Sequence, residues 1–326
     1  MRRTLTVLLL TAVVALGSAG CGLVSSSGTF HSARLPDGER PLDGARITVT
    51  SKAFTEQVIL GKIAATYLAA AGADVTDMTG APGAASSRQA QLDGETDLQW
   101  EYTGTGWVIY HERSESISDP QRLWQAVHDV ELDRNRLVWL PPSRINNTYA
   151  FAASPETAAR LGTETLSDVA ALPVADRTFC VDDEFFSRSD GFLPMLKAYG
   201  IPYDTPDGVP QGNVTRMDSG VIYTSTAHGR PCNFGMVFST DGRIPNLNLQ
   251  IMDDDRRFFL PYSGSVVVRE EVLDRHPEIR GLMEKVSAGL DDDTIRELNR
   301  RVDIDGEEPA DVADDWLISQ KLVSSD

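Results

Sequence analysis

The segment from Trp100 to Trp107 combines residue types that suit the binding of a small molecule. Its eight residues include three aromatic rings, two threonines and two glycines. Glycine lets the backbone turn tightly, so the rings and hydroxyls can face one point. An aromatic ring offers a cation its negative face, and a hydroxyl donates a hydrogen bond to an anion. The segment therefore predicts contact with a small zwitterion, and a buried turn with core aromatics is the alternative interpretation.

A lysine stands where ligands often bind in α/β proteins. Lys52 follows an apolar run typical of a strand, and Thr55 suits the N-cap of the helix that comes next. The first turn of a helix donates backbone N–H groups to anions, and open α/β sheets bind ligands at the carboxyl ends of their strands. We expect Lys52 to face an anionic group, with a solvated lysine in a connecting loop as the alternative.

Other rings and a guanidinium group are candidates for the same site. Tyr149 lies at the expected passage between two domains, and Tyr262 ends the aromatic run that begins at Phe258. Arg188 lies beside a turn, and its planar fork suits a carboxylate. Each position also has a structural interpretation, because Tyr149 suits a core and Arg188 suits an ion pair with Asp182, Asp183 or Asp190. The ion pair and a ligand contact can coexist.

No pattern in the chain indicates catalysis. Serines and histidines occur, but there is no Gly-x-Ser-x-Gly elbow and no metalloprotease helix. The five histidines are scattered, and no Cys/His set has the spacing of a zinc site. The glycine-rich run at residues 80–84 lacks the lysine of a phosphate loop. We therefore expect a protein that is not an enzyme, with no metal and no cofactor.

Alternating strands and helices must position these residues, and this alternation indicates an α/β class with mostly parallel sheets. The length is typical of about two domains. Apolar runs predict strands at residues 46–50, 74–78, 96–99, 136–140, 149–152, 178–181, 234–238, 247–252 and 265–268. Helical periodicity predicts helices at residues 55–71, 86–92, 119–133, 155–161, 166–171, 191–199, 220–228, 273–290, 292–302 and 309–321.

The first twenty residues predict a signal peptide. Arg2 and Arg3 precede an apolar stretch too short for a comfortable membrane span, and small residues lead to Cys21. This pattern indicates a bacterial lipoprotein cleaved before Cys21, although Ser18 stands where an aliphatic residue is usual. An ordinary secreted protein is the alternative. Residues 21–44 then predict a flexible tether. Export and a lipid anchor on Cys21 would hold the protein on the extracytoplasmic face of the cell membrane.

The charge and the remaining cysteines agree with an exported protein. The formal net charge of −18 argues against nucleic acid and against direct adhesion to anionic lipid. With Cys21 lipidated, Cys180 and Cys232 remain as an even pair in an oxidising compartment. Both adjoin predicted strands, so we predict a disulfide between them. Two buried free thiols are the alternative.

Taken together, several segments resemble the glycine betaine/choline-type (quaternary ammonium) substrate-binding proteins of ABC importers. The resemblance runs from about residue 47 to residue 322, and the markers follow the family order. They are Ser51-Lys-Ala-Phe-Thr-Glu-Gln57, Gly94-Glu-Thr-Asp97, Glu101-Tyr-Thr-Gly-Thr105, Asn147-Thr-Tyr149, Arg188-Ser-Asp-Gly191, Ser239-Thr-Asp-Gly-Arg-Ile244, and Asp254-Asp255 with Phe258-Phe-Leu-Pro-Tyr262.

The resemblance implies a two-lobe periplasmic-binding-protein fold of type II, with a two-stranded hinge and lobes that close over the ligand. Residues 45–146 and 251–326 would form lobe 1, and residues 147–250 would form lobe 2. The implied partners are a quaternary ammonium solute such as glycine betaine, choline or carnitine, and an ABC permease that receives it. We expect a monomer. A ligand-binding sensor lipoprotein, a binder of another betaine such as ergothioneine, and an exported hydrolase are the alternatives.

The resemblance also assigns roles to particular residues. Tyr102, Tyr149, Phe238 and Tyr262 match the positions of an aromatic cage around the ammonium group. Lys52, Thr105 and Arg188 match positions that hold a ligand carboxylate, and Asn147 matches a position next to the ammonium end. The chain departs from the family at Phe238, where tyrosine is usual, at Asn147, where aspartate is frequent, and at Ala84-Ala85, where Gly-Thr is usual.

Overall fold

Two sheets organise the computed structural model, which describes residues 28–113 and 115–324. The predicted signal peptide and Cys21 lie outside the described residues. Helices flank both sheets, so the predicted α/β class is confirmed. Each sheet has five strands, and four of the five run in one direction. The sheets are thus mostly parallel, as the alternation of elements predicts.

The first sheet contains β1 (Arg46–Lys52), β2 (Asp74–Ala81), β3 (Leu98–Tyr102), β4 (Leu137–Trp139) and β10 (Gly264–Arg269). Their order is β2-β1-β3-β10-β4. Strand β1 pairs in parallel with β2 and β3, whereas β10 runs antiparallel between β3 and β4. The register places Tyr102 opposite Gly264.

The second sheet contains β5 (Tyr149–Ala153), β6 (Phe179–Val181), β7 (Val214–Arg216), β8 (Phe234–Phe238) and β9 (Gln250–Ile251). Their order is β7-β6-β8-β5-β9. Strand β6 pairs in parallel with β7 and β8, and β5 runs antiparallel to β8 and β9. The register places Tyr149 opposite Phe238.

The chain crosses between the sheets twice, and the two crossings lie side by side. Asn146 forms an antiparallel bridge with Ser263, and the N–H of Asn147 donates to the carbonyl of Tyr262 over 3.1 Å. The hydroxyl of Thr148 donates to the carbonyl of Leu260 over 3.0 Å. These contacts form the predicted two-stranded hinge.

Most helices lie close to their predicted bounds. One helix was predicted over residues 273–290, but the structure has two helices there. They are separate because Pro277 follows His276, and the residue before a proline is disfavoured in a helix. An unpredicted π-helical segment, Thr105–Tyr110, follows β3. The α-helices are α1 (Thr55–Ala70), α2 (Ala84–Leu92), α3 (Pro120–Asn135), α4 (Pro155–Leu161), α5 (Leu166–Ala171), α6 (Asp183–Ser187), α7 (Phe192–Ala198), α8 (Ser219–His228), α9 (Arg243–Asn246), α10 (Glu270–Arg275), α11 (Glu278–Ala288), α12 (Asp292–Asp303) and α13 (Pro309–Ser319).

Each sheet has its own apolar core. Helix α1 is buried along most of its length against the first sheet and α13, and Trp100 and Trp316 belong to the same core. The second core contains Phe151 and Phe179. Met252 is also buried in the second core, and Phe258 and Phe259 pack against this core. The segment after β9 therefore keeps contact with the second sheet, and the lobe boundary at residue 251 stays a prediction.

The segment from residue 28 to residue 44 differs from the predicted flexible tether. Leu35 and Leu42 are buried in the first core, with exposed fractions of 8% and 1%. His31 Nε2 lies 2.6 Å from Asp311 Oδ1 on α13, and Arg34 bridges Ser324 near the other end of the chain. Burial of two leucines outweighs the polar composition that suggested a loose linker. This part of the chain belongs to the first lobe.

Cys180 at the centre of β6 and Cys232 before β8 form the predicted disulfide, with their Cα atoms 5.7 Å apart. Both residues are buried beside Ile222 of α8. The bridge therefore joins β6 to the segment that leads into its neighbour β8. Among residues 28–113 and 115–324, no helix has both the length and the apolar character needed to cross a bilayer.

Candidate functional site

One cavity of about 790 Å³ lies between the two sheets at the hinge. Cavities that bind small molecules usually measure about 300–1,000 Å³. All eight residues assigned to ligand binding from the sequence line this cavity: Lys52, Tyr102, Thr105, Asn147, Tyr149, Arg188, Phe238 and Tyr262. Residues that are up to about 200 positions apart in the chain thus meet at one place.

Strand direction explains why these residues meet. Lys52, Tyr102 and Phe238 are the last residues of β1, β3 and β8. Tyr149 is the first residue of β5, and Tyr262 comes just before β10. Because β5 and β10 are antiparallel to their neighbours, their beginnings lie at the same sheet edge as the ends of β8 and β3.

Tyr102 is held in place from both ends of its side chain. Its phenol donates a hydrogen bond to Glu56 Oε1 over 2.5 Å. Its ring centroid lies 4.6 Å from Lys52 Nζ and stacks against Phe54 at a centroid separation of 6.4 Å. Burial and the neighbouring Glu56 raise the pKa of the phenol well above its usual value, so it stays protonated and donates. The ring is therefore presented to the cavity in one orientation.

Tyr149 and Phe238 form the part of the aromatic wall that comes from the second sheet. Their ring centroids are 5.2 Å apart, and Phe185 packs behind Tyr149 at 4.6 Å. The guanidinium carbon of Arg188 lies 5.4 Å from the Tyr149 ring. Burial raises the pKa of the Tyr149 phenol above its usual value, although the nearby charge of Arg188 opposes that rise. These rings are neutral at any physiological pH and keep their negative faces.

Tyr262 joins the hinge to the second lobe. Its phenol donates to Asp190 Oδ2 over 2.9 Å and accepts from Arg188 Nη2 over 3.2 Å. Its ring packs so closely on Gly104 that a Cβ there would lie 2.5 Å from Tyr262 Cε2. Gly104 has ordinary helical dihedral angles, so glycine is needed here for space and not for backbone conformation.

The two predicted anion-binding cations already have carboxylate partners. Lys52 Nζ lies 2.5 Å from Glu101 Oε1, and both side chains are buried. Arg188 donates to both oxygens of Asp190 through Nε and Nη2, over 2.7 and 2.8 Å. Ion pairing was the structural alternative for Arg188, and it coexists with a position on the cavity wall. A ligand carboxylate must therefore share these cations with protein carboxylates.

Thr105 and Asn147 complete the predicted set. Thr105 begins the π-helical segment, and its side chain reaches the cavity from the first lobe. Asn147 Nδ2 donates to Glu56 Oε1 over 3.1 Å. The Oδ1 atom of Asn147 is buried without a hydrogen-bond partner among the described residues. An acceptor of this kind suits the hydroxyl or another donor of a ligand.

Sequence reasoning missed Glu56, although the residue lies within a quoted marker. Glu56 is in the first turn of α1, is 2% exposed, and lines the cavity. It accepts hydrogen bonds from Tyr102, Asn147, Thr240 and Asn299. A glutamate in the first turn of a helix is common because it complements the helix dipole, so its type alone gave no signal of a role at the site.

A second cavity of about 720 Å³ lies on another side of the hinge. It shares only Tyr149 with the eight predicted residues. Its other lining residues include residues 118–121 around the start of α3, residues of the hinge, and residues that follow β9, such as Asp253 and Arg257. The cavity at the strand ends contains the clustered rings and the buried carboxylate. It is therefore the functional candidate.

Two α/β lobes that enclose a ring-lined cavity at their hinge define a bilobal solute-binding protein. The chain belongs to the family described as the substrate-binding domain of the ABC-type glycine betaine transport system, whose model matches residues 45–319. The family predicted from the sequence markers is thereby confirmed.

The relatives of the chain include transport binding proteins for different solutes. A glycine-betaine-binding protein of Pseudomonas aeruginosa is 38% identical over 285 residues, which cover 85% of this chain and 88% of the relative. An ergothioneine transport permease/ergothioneine binding protein of Helicobacter pylori is 32% identical over 286 residues, which cover 86% of this chain and 47% of the relative. The crystal structure of a glycine betaine/carnitine/choline ABC transporter is similar, with a TM-score of 0.76 and 24% sequence identity. The match covers 85% of this chain and 98% of the other, and it supports the fold alone.

Proposed function

We propose that this protein captures a quaternary ammonium compatible solute and delivers it, chemically unchanged, to an ABC permease. The observation that carries the proposal is the meeting of Tyr102, Tyr149, Phe238 and Tyr262 in one cavity between two lobes. Membership of the family and the names of the relatives support the same ligand class. Glycine betaine, choline and carnitine are the first candidates.

Ring recognition follows from the chemistry of the ligand. A trimethylammonium group has no N–H to donate, so it must be recognised by shape and by the negative faces of rings. A well-placed ring contributes about 0.5–2 kcal/mol to such contacts. Four rings then contribute roughly 2–8 kcal/mol before the costs of ordering, which suffices for micromolar affinity when the other end of the ligand is also held.

The remaining predicted residues receive roles at that other end. We assign Lys52, Thr105 and Arg188 to the polar or anionic group of the ligand, and Asn147 to the region beside the ammonium group. Lobe closure over the ligand would hide it from water and present a closed surface to the permease. The contact between Glu56 of α1 and Thr240, which follows β8, joins the two lobes beside the cavity, over 2.6 Å.

The proposed location is the extracytoplasmic face of the cell membrane. ABC importers take up solutes from outside the cytoplasm, and the pattern of residues 1–20 before Cys21 is typical of an exported lipoprotein. We propose that lipid on Cys21 holds a monomeric binding protein near its permease. The disulfide between Cys180 and Cys232 agrees with an oxidising compartment. The proposal involves no enzymatic step.

Isothermal titration of the purified mature protein tests the ligand class. The panel contains glycine betaine, choline, carnitine, proline betaine and ergothioneine, with the non-methylated amino acid glycine as the matched control. We expect micromolar or tighter binding of at least one quaternary amine and no binding of glycine. Absence of binding across the whole panel would contradict the proposal.

Ergothioneine is the second candidate ligand. The observation in its favour is the 32% identity to an ergothioneine transport permease/ergothioneine binding protein. A methylated ammonium group would occupy the same ring-lined cavity, and the contacts at its other end would differ. A Kd for ergothioneine at least tenfold below that of every other member of the panel would select this candidate.

A further inference from the structure

Glu56 occupies an unusual position for a carboxylate. It is buried at the cavity wall, and it receives one hydrogen bond from each of four side chains. Two come to Oε1, from the phenol of Tyr102 over 2.5 Å and from Asn147 Nδ2 over 3.1 Å. Two come to Oε2, from the hydroxyl of Thr240 over 2.6 Å and from Asn299 Nδ2 over 3.2 Å.

These four bonds match the ionised form of the side chain. A carboxylate has two oxygens with about four acceptor sites, and the four donors fill them. The two asparagine nitrogens can only donate, and each carboxylate oxygen accepts from one of them. Burial raises the pKa of Glu56 above its usual value, and the four hydrogen bonds reduce that rise because they favour the charged form. A cation in the cavity would favour the charged form further.

All four partners are neutral, so Glu56 forms no ion pair within the described part of the chain, as is also true of Asp303, which accepts from Thr55 elsewhere on the cavity wall. Among the described residues, the cations that line the cavity each have a carboxylate partner: Lys52 with Glu101, Arg188 with Asp190, and Arg243 with Asp241. No lysine, arginine or histidine of the described residues forms an ion pair with Glu56. Its negative charge is therefore stabilised only by neutral donors and by the N-terminal turn of α1, with no cation in ion-pair contact.

We propose that Glu56 is a selectivity residue of this site, which favours ligands with a net positive charge over zwitterions. The inference rests on the proposed function and deepens it. The charge of Glu56 attracts the ammonium group of any quaternary amine, but it also repels a carboxylate on the same ligand. Choline, which carries a hydroxyl in place of a carboxylate, gains the attraction without the repulsion.

The test compares two ligands in one protein. The Kd values of choline and glycine betaine are measured by isothermal titration for the wild type and for Glu56→Gln at neutral pH. We expect the ratio of the betaine Kd to the choline Kd to fall about tenfold in Glu56→Gln. Coulomb's law predicts a change of that order for two unit charges about 10 Å apart at an effective dielectric constant of about 20. Because both ligands meet the same protein, partial misfolding lowers the active fraction without changing the ratio.

A surface variant provides the matched control. Glu284→Gln makes the same substitution at an exposed position of α11, outside the cavity lining. Its ratio should stay within twofold of the wild type, which would exclude an effect of total charge. A Glu284→Gln ratio that falls as far as that of Glu56→Gln would overturn the inference.

A second variant protects the test against a folding defect. The NH2 group of the new Gln side chain would face one hydroxyl and one asparagine NH2 group. The hydroxyl can change from donor to acceptor, but the asparagine NH2 group can only donate. If Glu56→Gln does not fold, the double variant Glu56→Gln/Asn299→Ala removes one such asparagine nitrogen and repeats the measurement. The ratio should again fall about tenfold.

The outcomes separate this inference from the proposed function. Binding of both choline and betaine, with an unchanged ratio in the Glu56 variants, would overturn the role of Glu56 and leave the proposed function standing. Binding of neither ligand, nor of any other panel member, by the wild type would overturn the proposed function and the inference with it. A fall in the ratio that is confined to the Glu56 variants would support the inference.

Discussion

At the residue scale, the site is built from rings whose polar ends are occupied by the protein. The phenol of Tyr102 donates to Glu56, and that of Tyr262 donates to Asp190. Ring faces are thereby left for a ligand, while the hydroxyls fix the ring orientations. The arrangement is pre-organised, and binding loses less free energy to the ordering of side chains.

Tyr102→Ala should weaken binding strongly. The substitution removes one ring of the cage and one of the donors to Glu56, while the backbone of β3 is retained. We expect the Kd of the preferred quaternary amine to rise about 10- to 30-fold, equivalent to about 1.4–2 kcal/mol. Isothermal titration measures the effect, and an unchanged Kd would remove Tyr102 from the proposed cage.

Phe238→Tyr serves as the matched comparison for that prediction. It keeps the ring and restores the residue that the family usually has at this position. The wall position opposite Tyr149 is retained, so the Kd should stay within threefold of the wild type or decrease. A tenfold loss of affinity would show that the cavity has no room for the added hydroxyl.

At the element scale, the turn after β3 decides where Tyr262 lies. The carboxyl end of β3 continues through Gly104 into the π-helical segment, and the Tyr262 ring lies against that glycine. Behind this turn, the phenol of Tyr110 donates to Glu101, which pairs with Lys52. In the first lobe, a buried polar network of Tyr110, Glu101 and Lys52 thus supports the wall of the cavity.

Gly104→Ala should displace the Tyr262 ring. The added Cβ would lie 2.5 Å from Tyr262 Cε2, closer than real contacts allow. Since the phenol is held by Asp190 and Arg188, we expect the ring to tilt into the cavity and the Kd to rise at least fivefold. Titration and thermal unfolding measure affinity and stability separately.

Gly281→Ala is the control for that change, because the same substitution in α11 meets no atom within 4 Å. It should leave the Kd unchanged and stabilise the helix by roughly 0.5–1 kcal/mol. Equal affinities for the two alanine variants would contradict the proposed contact between Gly104 and Tyr262.

At the scale of the whole molecule, a buried ion cluster links segments of the first lobe. Glu131 of α3 accepts two hydrogen bonds from Arg88 of α2, over 2.7 and 3.0 Å. His111, just after the π-helical segment, lies 2.7 Å away through its Nε2. Burial would raise the pKa of Glu131, but His111 and Arg88 lower it to about 2. Because of this cluster, the free energy of unfolding should depend on pH in the acid range.

The sign of that dependence follows from the lowered pKa. A carboxyl whose pKa is lower in the folded state stabilises the fold above its unfolded pKa, and this contribution is lost as the pH falls towards the folded pKa. We expect the Glu131 carboxylate to contribute about 3 kcal/mol at pH 7 and to lose most of it between about pH 4.5 and pH 2. Urea denaturation at pH 7 and pH 3 measures the free energy of unfolding.

Glu131→Gln should lower the free energy of unfolding at pH 7 and reduce its dependence on pH. The difference in the free energy of unfolding between variant and wild type should be smaller at pH 3, because the wild-type carboxylate has lost part of its stabilising contribution there. Glu284→Gln, at an exposed position of α11, should follow the wild type at both pH values. A gap of constant size for Glu131→Gln would mean that packing, and not the charge, stabilises this cluster.

Local patterns in the sequence determined the elements and the identities of the rings. Strand β8 and helices α4 and α5 have the predicted bounds, since apolar periodicity and turn residues act over short stretches of chain. The eight predicted site residues line one cavity because most of their markers lie at strand ends or in the hinge, and these parts of the two sheets meet at the cavity. The cysteine count and the adjoining strands sufficed to predict the disulfide.

Only the tertiary structure decided which charges form ion pairs and which do not. Glu56 and Thr240 are 184 positions apart, and nothing in either local sequence indicates their contact. The pairing of Lys52 with Glu101, and the burial of Leu35 and Leu42 in a segment of polar composition, likewise depend on the path of the chain. Local patterns describe the backbone over a few residues, whereas the electrostatics of a cavity depend on every segment that the fold brings to it.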